Sequence, residues 1–230
     1  MRWDVDALLL DFGGTIDADG IHWGERFFQF YREAGIELPR AQFDEVFEKV
    51  DAEIQDRDVE HSRFRDLVAL QVHTQCIHLK IESGVIQQQV VDRAVRDAAV
   101  CIEGNKKILQ QCARCLRLGL VSNYHGNLLT VCREFGLDDI FGVIVDSKIV
   151  RVENPNPKPF EIALGALRVE PERAAFVSDS YNSDIVGSKS LGLKTIWLQH
   201  EMNRIQGDPT KIDTIVRSLE ELGTLICSEC

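Results

Sequence analysis

Ala7-Leu8-Leu9-Leu10, followed at once by Asp11-Phe12-Gly13-Gly14-Thr15, opens the chain with an apolar run that ends on a carboxylate. Four consecutive apolar residues are the composition of a strand buried on both faces, as in a parallel sheet. The two glycines that follow free the backbone from the usual φ restrictions. In open α/β sheets the carboxyl ends of the strands form the ligand crevice, which puts Asp11 where chemistry is normally placed. Packing alone gives a buried strand no reason to end in Asp-x-Gly-Gly-Thr.

Beyond Thr15 the strand pattern gives way for some eighty residues to helical spacing. Trp23 to Ala34 carries Phe27, Phe28, Phe30 and Tyr31 and stops at Gly35; Phe43, Val46, Phe47, Val50 and Ile54 follow Pro39. Phe64, Leu67, Val68, Val72, Cys76 and Leu79 form a third apolar stripe, and Val91, Ala94, Val95 and Ala98 a fourth. Four one-sided helices with short connections predict a small bundle, its aromatic stripe read as bundle core. From Glu103 helix and strand alternate again: a helix to about Arg117, strands at 118–121, 142–145, 174–177 and 195–198, helices between them, and a last helix over 218–226. That rhythm specifies an α/β fold, a doubly wound parallel sheet with helices on both faces.

Three further stretches each leave a strand or enter a helix: Val121-Ser122-Asn123, Asn154-Pro155-Asn156-Pro157-Lys158-Pro159-Phe160, and Phe176-Val177-Ser178-Asp179 leading to Asp184. Together with Asp11-Phe12-Gly13-Gly14-Thr15 they resemble, in order, the four motifs of the haloacid dehalogenase-like hydrolases, and the resemblance spans nearly the whole chain. It implies a Rossmann-like core over 1–17 and 102–230, with an inserted four-helix cap over 18–101. The implied activity is Mg²⁺-dependent hydrolysis of a small phosphorylated metabolite through an aspartyl-phosphate on Asp11. The implied metal ligands are Asp11, the Gly13 carbonyl, Asp179 and Asp184, the last directly or through water. The Ser122 hydroxyl and the backbone N–H of Asn123 would grip the phosphoryl oxygens, and the Gly14 backbone, Thr15 and Asn154 would shape the cradle. Taken alone, Asp179 reads as a helix N-cap and Ser122-Asn123 as a turn; in register they read as a site.

Two positions depart from the family pattern. Gly13 stands where these phosphatases carry a second aspartate, the general acid and base, a contribution typically worth about 10²–10⁴-fold. Asp17, Asp19, His22 and His125 are the sequence-near candidates to replace it. Asn154 stands in the lysine slot, and Lys158, four residues on, is the expected substitute cation. If both functions are lost, the alternative is a catalytically impaired protein of the same fold that binds metal, a phosphometabolite or a protein partner. Dehalogenase-type chemistry on carbon fits less well, since it needs no metal and gives no motive for keeping Asp179 and Asp184.

Composition limits the remaining classes. The 230 residues carry 26 Lys and Arg against 37 Asp and Glu, a formal charge of −11, which argues against nucleic acid as a partner. A phosphate site is local and can still be positive inside an acidic protein. No apolar stretch approaches the roughly 20 residues of a membrane helix, and the N-terminus lacks a signal-peptide layout, which reads as a cytoplasmic protein. Seven cysteines without an export signal read as reduced thiols. Cys112-Ala-Arg-Cys115 and Cys227-Ser-Glu-Cys230 have the spacing of a zinc knuckle, and more often of helix packing and a frayed terminus. Substrate identity and oligomeric state have no readable code here.

Overall fold

In the computed structural model, residues 3–200 and 208–227 are described. Strand β1 (Ala7–Leu10) is the centre of a six-stranded parallel sheet, with β2 (Arg117–Ser122) and β3 (Val143–Asp146) on one side. On the other side lie β4 (Ala174–Ser178), β5 (Lys194–Leu198) and β6 (Thr214–Val216). Leu8 and Leu10 point into the core cluster shared with the helical block, Ala7 and Leu9 into a second cluster with Phe160, Leu164 and Phe176 on the opposite face. Both faces of β1 are therefore covered, and its four residues are fully buried. The apolar run specifies this by itself: a strand with no polar face has only the centre of a two-sided sheet to occupy.

Four helices follow β1: α1 (Trp23–Glu33), α2 (Arg40–Gln55), α3 (Phe64–Leu79) and α4 (Gly84–Cys112). Their apolar stripes meet as the spacing requires, with Tyr31, Phe43, Val50, Ile54, Val72, Ala94 and Ala98 wholly buried. The helix α4 runs unbroken for 29 residues from this block to the sheet, so the boundary expected between 101 and 102 falls inside a helix instead of in a linker. Asn105 on α4 donates to the Ile16 carbonyl at 2.9 Å. Further bonds from Asn127 to the Ser62 carbonyl (3.0 Å) and from Gln55 to the Tyr124 carbonyl (3.4 Å) tie cap to core.

The remaining helices are α5 (Leu128–Phe135), α6 (Ser147–Val150), α7 (Lys158–Leu167), α8 (Val186–Ser190), entered through a π-turn at Tyr181–Ile185, and α9 (Leu219–Cys227). Strand β6 went unassigned in the sequence because three residues are too few to show a period. One cysteine expectation changes. Cys115 is disulfide-bonded, against the reading of all seven as reduced thiols. The Cys227 side chain and Cys230 lie outside the described residues, as does most of the loop expected over 201–209. Among the described residues no helix is long and apolar enough to cross a membrane.

Candidate active site

The carboxyl ends of the three neighbouring strands β2, β1 and β4 deliver Ser122, Asp11 and Asp179 to one place. Asp11 follows β1 directly, anchored by its N–H to the Val177 carbonyl at 2.9 Å. Its side chain is 5% exposed; Oδ1 accepts from the Ser122 hydroxyl at 2.7 Å, and Oδ2 lies 3.2 Å from Thr15 Oγ1. The same Thr15 oxygen accepts the Asp179 N–H at 3.2 Å and lies 3.5 Å from Asp179 Oδ1. One hydroxyl thus joins two carboxylates that are 168 positions apart in sequence.

Gly14 makes this approach possible. Its φ is +85°, in the left-handed region, and a Cβ there would sit 2.3 Å from Asp179 Oδ2. Gly14→Ala must displace the Asp179 carboxylate and strain the turn, so it is expected to cost about 2 kcal/mol, a Tm drop near 5 °C, and most of the activity. Thermal melts beside a phosphatase assay check both. Gly13 lacks that constraint: its φ is not left-handed, and a Cβ would meet only Trp23 Cδ1, at 3.9 Å.

Asp184 is drawn in through the π-turn, close enough for its charge to act on both Asp11 and Asp179, and both its oxygens are hydrogen-bonded. Its Oδ2 accepts from Ser178 Oγ at 2.7 Å and its Oδ1 from Asn154 Nδ2 at 2.9 Å. Among the described residues no three His, Cys, Asp or Glu side chains form a ready-made metal cage. The expected convergence of three carboxylates is therefore a pair, Asp11 and Asp179, with Asp184 hydrogen-bonded behind it. Ser178, in the position where the family motif has Gly, supplies one of those bonds.

The Asn123 side chain does not face Asp11. It clamps the next loop, accepting the Asn154 N–H at 2.9 Å and donating to the Asn154 carbonyl at 3.3 Å. Asn154 occupies the lysine slot as a neutral donor, and its buried Oδ1 has no partner. Lys158 does not replace the cation. It lies exposed at the start of α7, with Nζ 3.4 Å from Glu161 Oε2, one turn along the helix.

Of the four sequence-near acids and bases, Asp17 is wholly buried and committed: it accepts from the Gly14 N–H and from Trp23 Nε1, both at 2.8 Å. Burial pushes it up to about 6, against the pull of Arg26 and those bonds. Asp19 turns to Asn105 and the Leu219 N–H, away from the site. His22 caps α1 through Nδ1 and, with His125, lines a cavity of about 200 Å³ between the strand ends and the cap.

Burial, then the Lys148 charge, lowers His125 to about 4. A lowered histidine is neutral when folded but binds a proton when unfolded, so its contribution is complete above about pH 6.5 and is lost as pH falls toward 4. The loss is on the order of 3 kcal/mol. His125→Asn is expected to flatten the acid limb of the stability–pH curve, read by urea melts between pH 4 and 7.5.

Electrostatically the site is acidic and under-neutralised. Burial, with the charges of Asp184 and Asp179, raises Asp11 well above the carboxylate range; burial, then Asp184 and Asp17, does the same to Asp179. Among the described residues no lysine or arginine hydrogen-bonds to Asp11, Asp179 or Asp184. The donor set fits a hard divalent cation: two carboxylates, and the Gly13 carbonyl, which accepts no hydrogen bond among the described residues. The buried Asn154 Oδ1, without a partner, would be available as an acceptor to water on such an ion.

The cavity itself was not legible in the sequence. The aromatic stripe read as bundle core divides: Phe30 and Tyr31 pack inward, while Trp23 and Phe27 line the cavity with Phe47 and Phe64. Gln71 of α3 also lines it, and nothing in a glutamine within an apolar stripe announces that.

A sequence profile described as haloacid dehalogenase-like hydrolase matches residues 5–192. The chain is 31% identical over 151 residues to the pyrimidine 5′-nucleotidase YjjG of Escherichia coli, covering 65% of this chain and 66% of that one. It is 44% identical over 64 residues to a glyceraldehyde 3-phosphate phosphatase of Pyrococcus furiosus, 28% of this chain and 27% of the relative's length. Over 96% of its length it is 26% identical to haloacid dehalogenase-like hydrolase domain-containing protein 3 of Danio rerio, covering 93% of that protein. Among solved structures, a dehalogenase with intermediate complex superposes with a TM-score of 0.65 at 17% identity over 99% of both chains. A HAD phosphatase from Thermococcus onnurineus does so with 0.55 at 22% over 96% of both. The profile runs through the ends of β1, β2 and β4, where Asp11, Ser122 and Asp179 meet, and the chain belongs to the haloacid dehalogenase-like hydrolases.

Proposed function

We propose that the chain is a Mg²⁺-dependent phosphatase of a small phosphorylated compound, with Asp11 as nucleophile. The observation that carries this is the hydroxyl-bridged pair: Asp11 and Asp179 held by Thr15 at the end of the central strand, with Ser122 on the other Asp11 oxygen. Relatives named for a triose phosphate and for pyrimidine nucleotides support a small phosphomonoester as substrate class.

Asp11, Asp179 and the Gly13 carbonyl would hold Mg²⁺, with Asp184 outside them through water. When bound, the ion neutralises the carboxylates and the phosphoryl oxygens, the dominant need in phosphoryl transfer. The Ser122 and Thr15 hydroxyls donate to Asp11 and favour its ionised, nucleophilic form. An Asp11 oxygen bonds to phosphorus as the ester P–O bond breaks; water then attacks phosphorus, releasing phosphate and restoring Asp11. With glycine at 13, the leaving oxygen takes its proton from water. Turnover is therefore expected to be slow, and best on substrates with good leaving groups. Asn154 and Asn123 act on position, locking the loop that hydrogen-bonds Asp184.

Phosphate release from a panel of phosphomonoesters, with Mg²⁺ and with EDTA, tests the reading. Activity abolished by EDTA supports it; release no faster than in Asp11→Asn removes it. Gly13 and the neutral Asn154 favour one second reading, a non-catalytic binder of metal or phosphometabolite. Calorimetric binding of Mg²⁺ and a phosphate analogue without turnover is its signature, and clear multiple turnover excludes it.

A further inference from the structure

Gly13 and Gly14 share one peptide unit, and that unit joins a proposed metal ligand to a buried carboxylate that no step above uses. Both torsions that turn it, ψ of Gly13 and φ of Gly14, belong to glycines, so side-chain sterics do not fix which way it faces. The bond is trans, so the Gly13 carbonyl and the Gly14 N–H point in opposite directions. The Gly14 N–H donates to Asp17 Oδ1 at 2.8 Å, its one acceptor among the described residues. Holding the N–H on Asp17 turns the carbonyl to the other side, where it accepts no hydrogen bond among the described residues. The flanking peptides have their own anchors: the Gly20 N–H holds the Gly14 carbonyl at 2.7 Å, and the Thr15 N–H holds the Phe12 carbonyl at 3.2 Å. Neither bond restrains the unit between them directly.

Asp17 is itself fixed, and from the cap. Its side chain is wholly buried, and Oδ2 accepts from Trp23 Nε1 at 2.8 Å. Its backbone carbonyl accepts from Arg26 Nη1 at 3.0 Å, and the buried Arg26 guanidinium lies 4.3 Å from the centre of the Trp23 ring. Two residues of α1 thus hold the carboxylate that holds the peptide.

We propose that Asp17 is a positioning residue for the divalent cation: through the Gly14 N–H it aims the Gly13 carbonyl, and through Trp23 and Arg26 it makes that aim depend on where α1 sits. The proposal rests on the Mg²⁺-dependent reading of Asp11 and Asp179. Its signature is selectivity between ions. Mg²⁺ demands near-ideal octahedral geometry, whereas Ca²⁺ accepts flexible, irregular oxygen sets, so a misdirected carbonyl penalises Mg²⁺ more. Asp17 also acts on Asp179 through its charge, and loss of that charge alone weakens both ions alike. The ratio of the two affinities separates aim from charge.

Dissociation constants for Mg²⁺ and Ca²⁺ are measured by calorimetry on wild type, Asp17→Asn and Trp23→Phe. Asparagine keeps the size of the side chain, but it cannot accept from both the Gly14 and the Trp23 donors. Trp23→Phe removes the indole donor and leaves every charge in place. Asp17→Asn is expected to weaken Mg²⁺ by about 10–100-fold, the usual effect of removing a residue that orients a metal ligand, and Ca²⁺ by only about threefold. Trp23→Phe should move the ratio in the same direction by about threefold. A ratio unchanged in Asp17→Asn overturns the proposal, whatever the absolute losses, and leaves the phosphatase reading standing. A ratio that moves in Asp17→Asn and not in Trp23→Phe overturns the dependence on α1. If circular dichroism shows that Asp17→Asn does not fold, Trp23→Phe decides alone, and an unchanged ratio overturns the proposal. If neither ion binds the wild type at millimolar concentration, the Mg²⁺-dependent reading itself fails and the proposal falls with it.

Discussion

Asp11→Asn is expected to reduce phosphate-ester hydrolysis by at least about 10⁴-fold while leaving the metal-free protein as stable as wild type or more so. The two halves have separate causes. An amide cannot attack phosphorus as a carboxylate does, and no neighbouring side chain takes over: the Asp179 carboxylate lies against the Thr15 hydroxyl, Asp184 is held by Ser178 and Asn154, and Asp17 by Gly14 and Trp23. Stability responds to the other property of Asp11. It is buried beside two further acids, so it is either ionised at a Coulombic cost or protonated, and asparagine avoids both. The Ser122 hydroxyl rotates to suit either atom of the amide. Removing about 1 kcal/mol of repulsion corresponds to a Tm rise of roughly 2–4 °C in a chain of this size. Added Mg²⁺ should raise the Tm of wild type and not of Asp11→Asn. A variant that is inactive because it melts early would contradict this account; one that is inactive and melts no earlier supports it.

What the sequence made legible follows from where its physics is local. The strands β1, β2 and β4 are largely apolar on both faces, so composition alone marks them, and the residue placed at the site ends β2 (Ser122) or directly follows β1 and β4 (Asp11 and Asp179). The bundle was readable because helical spacing has a period. The continuity of α4 was not: the fourth apolar stripe reads as one helix over Val91 to Ala98 and the stretch from Glu103 as another, whereas packing against α3 and α9 carries a single helix through both, with Asn105 bonded to the Ile16 carbonyl. Lys158 shows the limit of spacing as a guide. Four residues from Asn154 is within reach along the chain, but Lys158 begins α7 with its N–H on Asn156 Oδ1 and its side chain on the outer face beside Glu161. The cavity was least legible of all. Its lining comes from three helices and two loops, which no single stretch of sequence brings together.

Gly13→Asp is expected to raise turnover of alkyl phosphates by about 10²–10³-fold, within the range that general acid–base catalysis supplies. The position accepts the change. Its backbone is outside the left-handed region, and the new Cβ meets only the Trp23 ring edge at an ordinary contact distance. Because position 13 lies two residues after Asp11 and lines the adjoining cavity, a carboxyl there would be placed to hand a proton to the departing oxygen and later take one from the attacking water. The gain should depend on the leaving group: large for an alkyl phosphate, whose alkoxide must be protonated, and small for p-nitrophenyl phosphate, whose phenolate departs unaided. Adding a further acid beside Asp11 and Asp179 raises the repulsion already present, so the metal-free Tm should fall by several degrees and recover with Mg²⁺. Comparing the two substrates across Gly13→Asp gives the readout. A leaving-group-dependent gain shows that only the proton donor is missing. Equal and unchanged rates on both substrates would place the deficit at Asn154, whose neutral amide stands where a cation would hold the phosphoryl group, and Asn154→Lys combined with Gly13→Asp would then be the variant to recover activity.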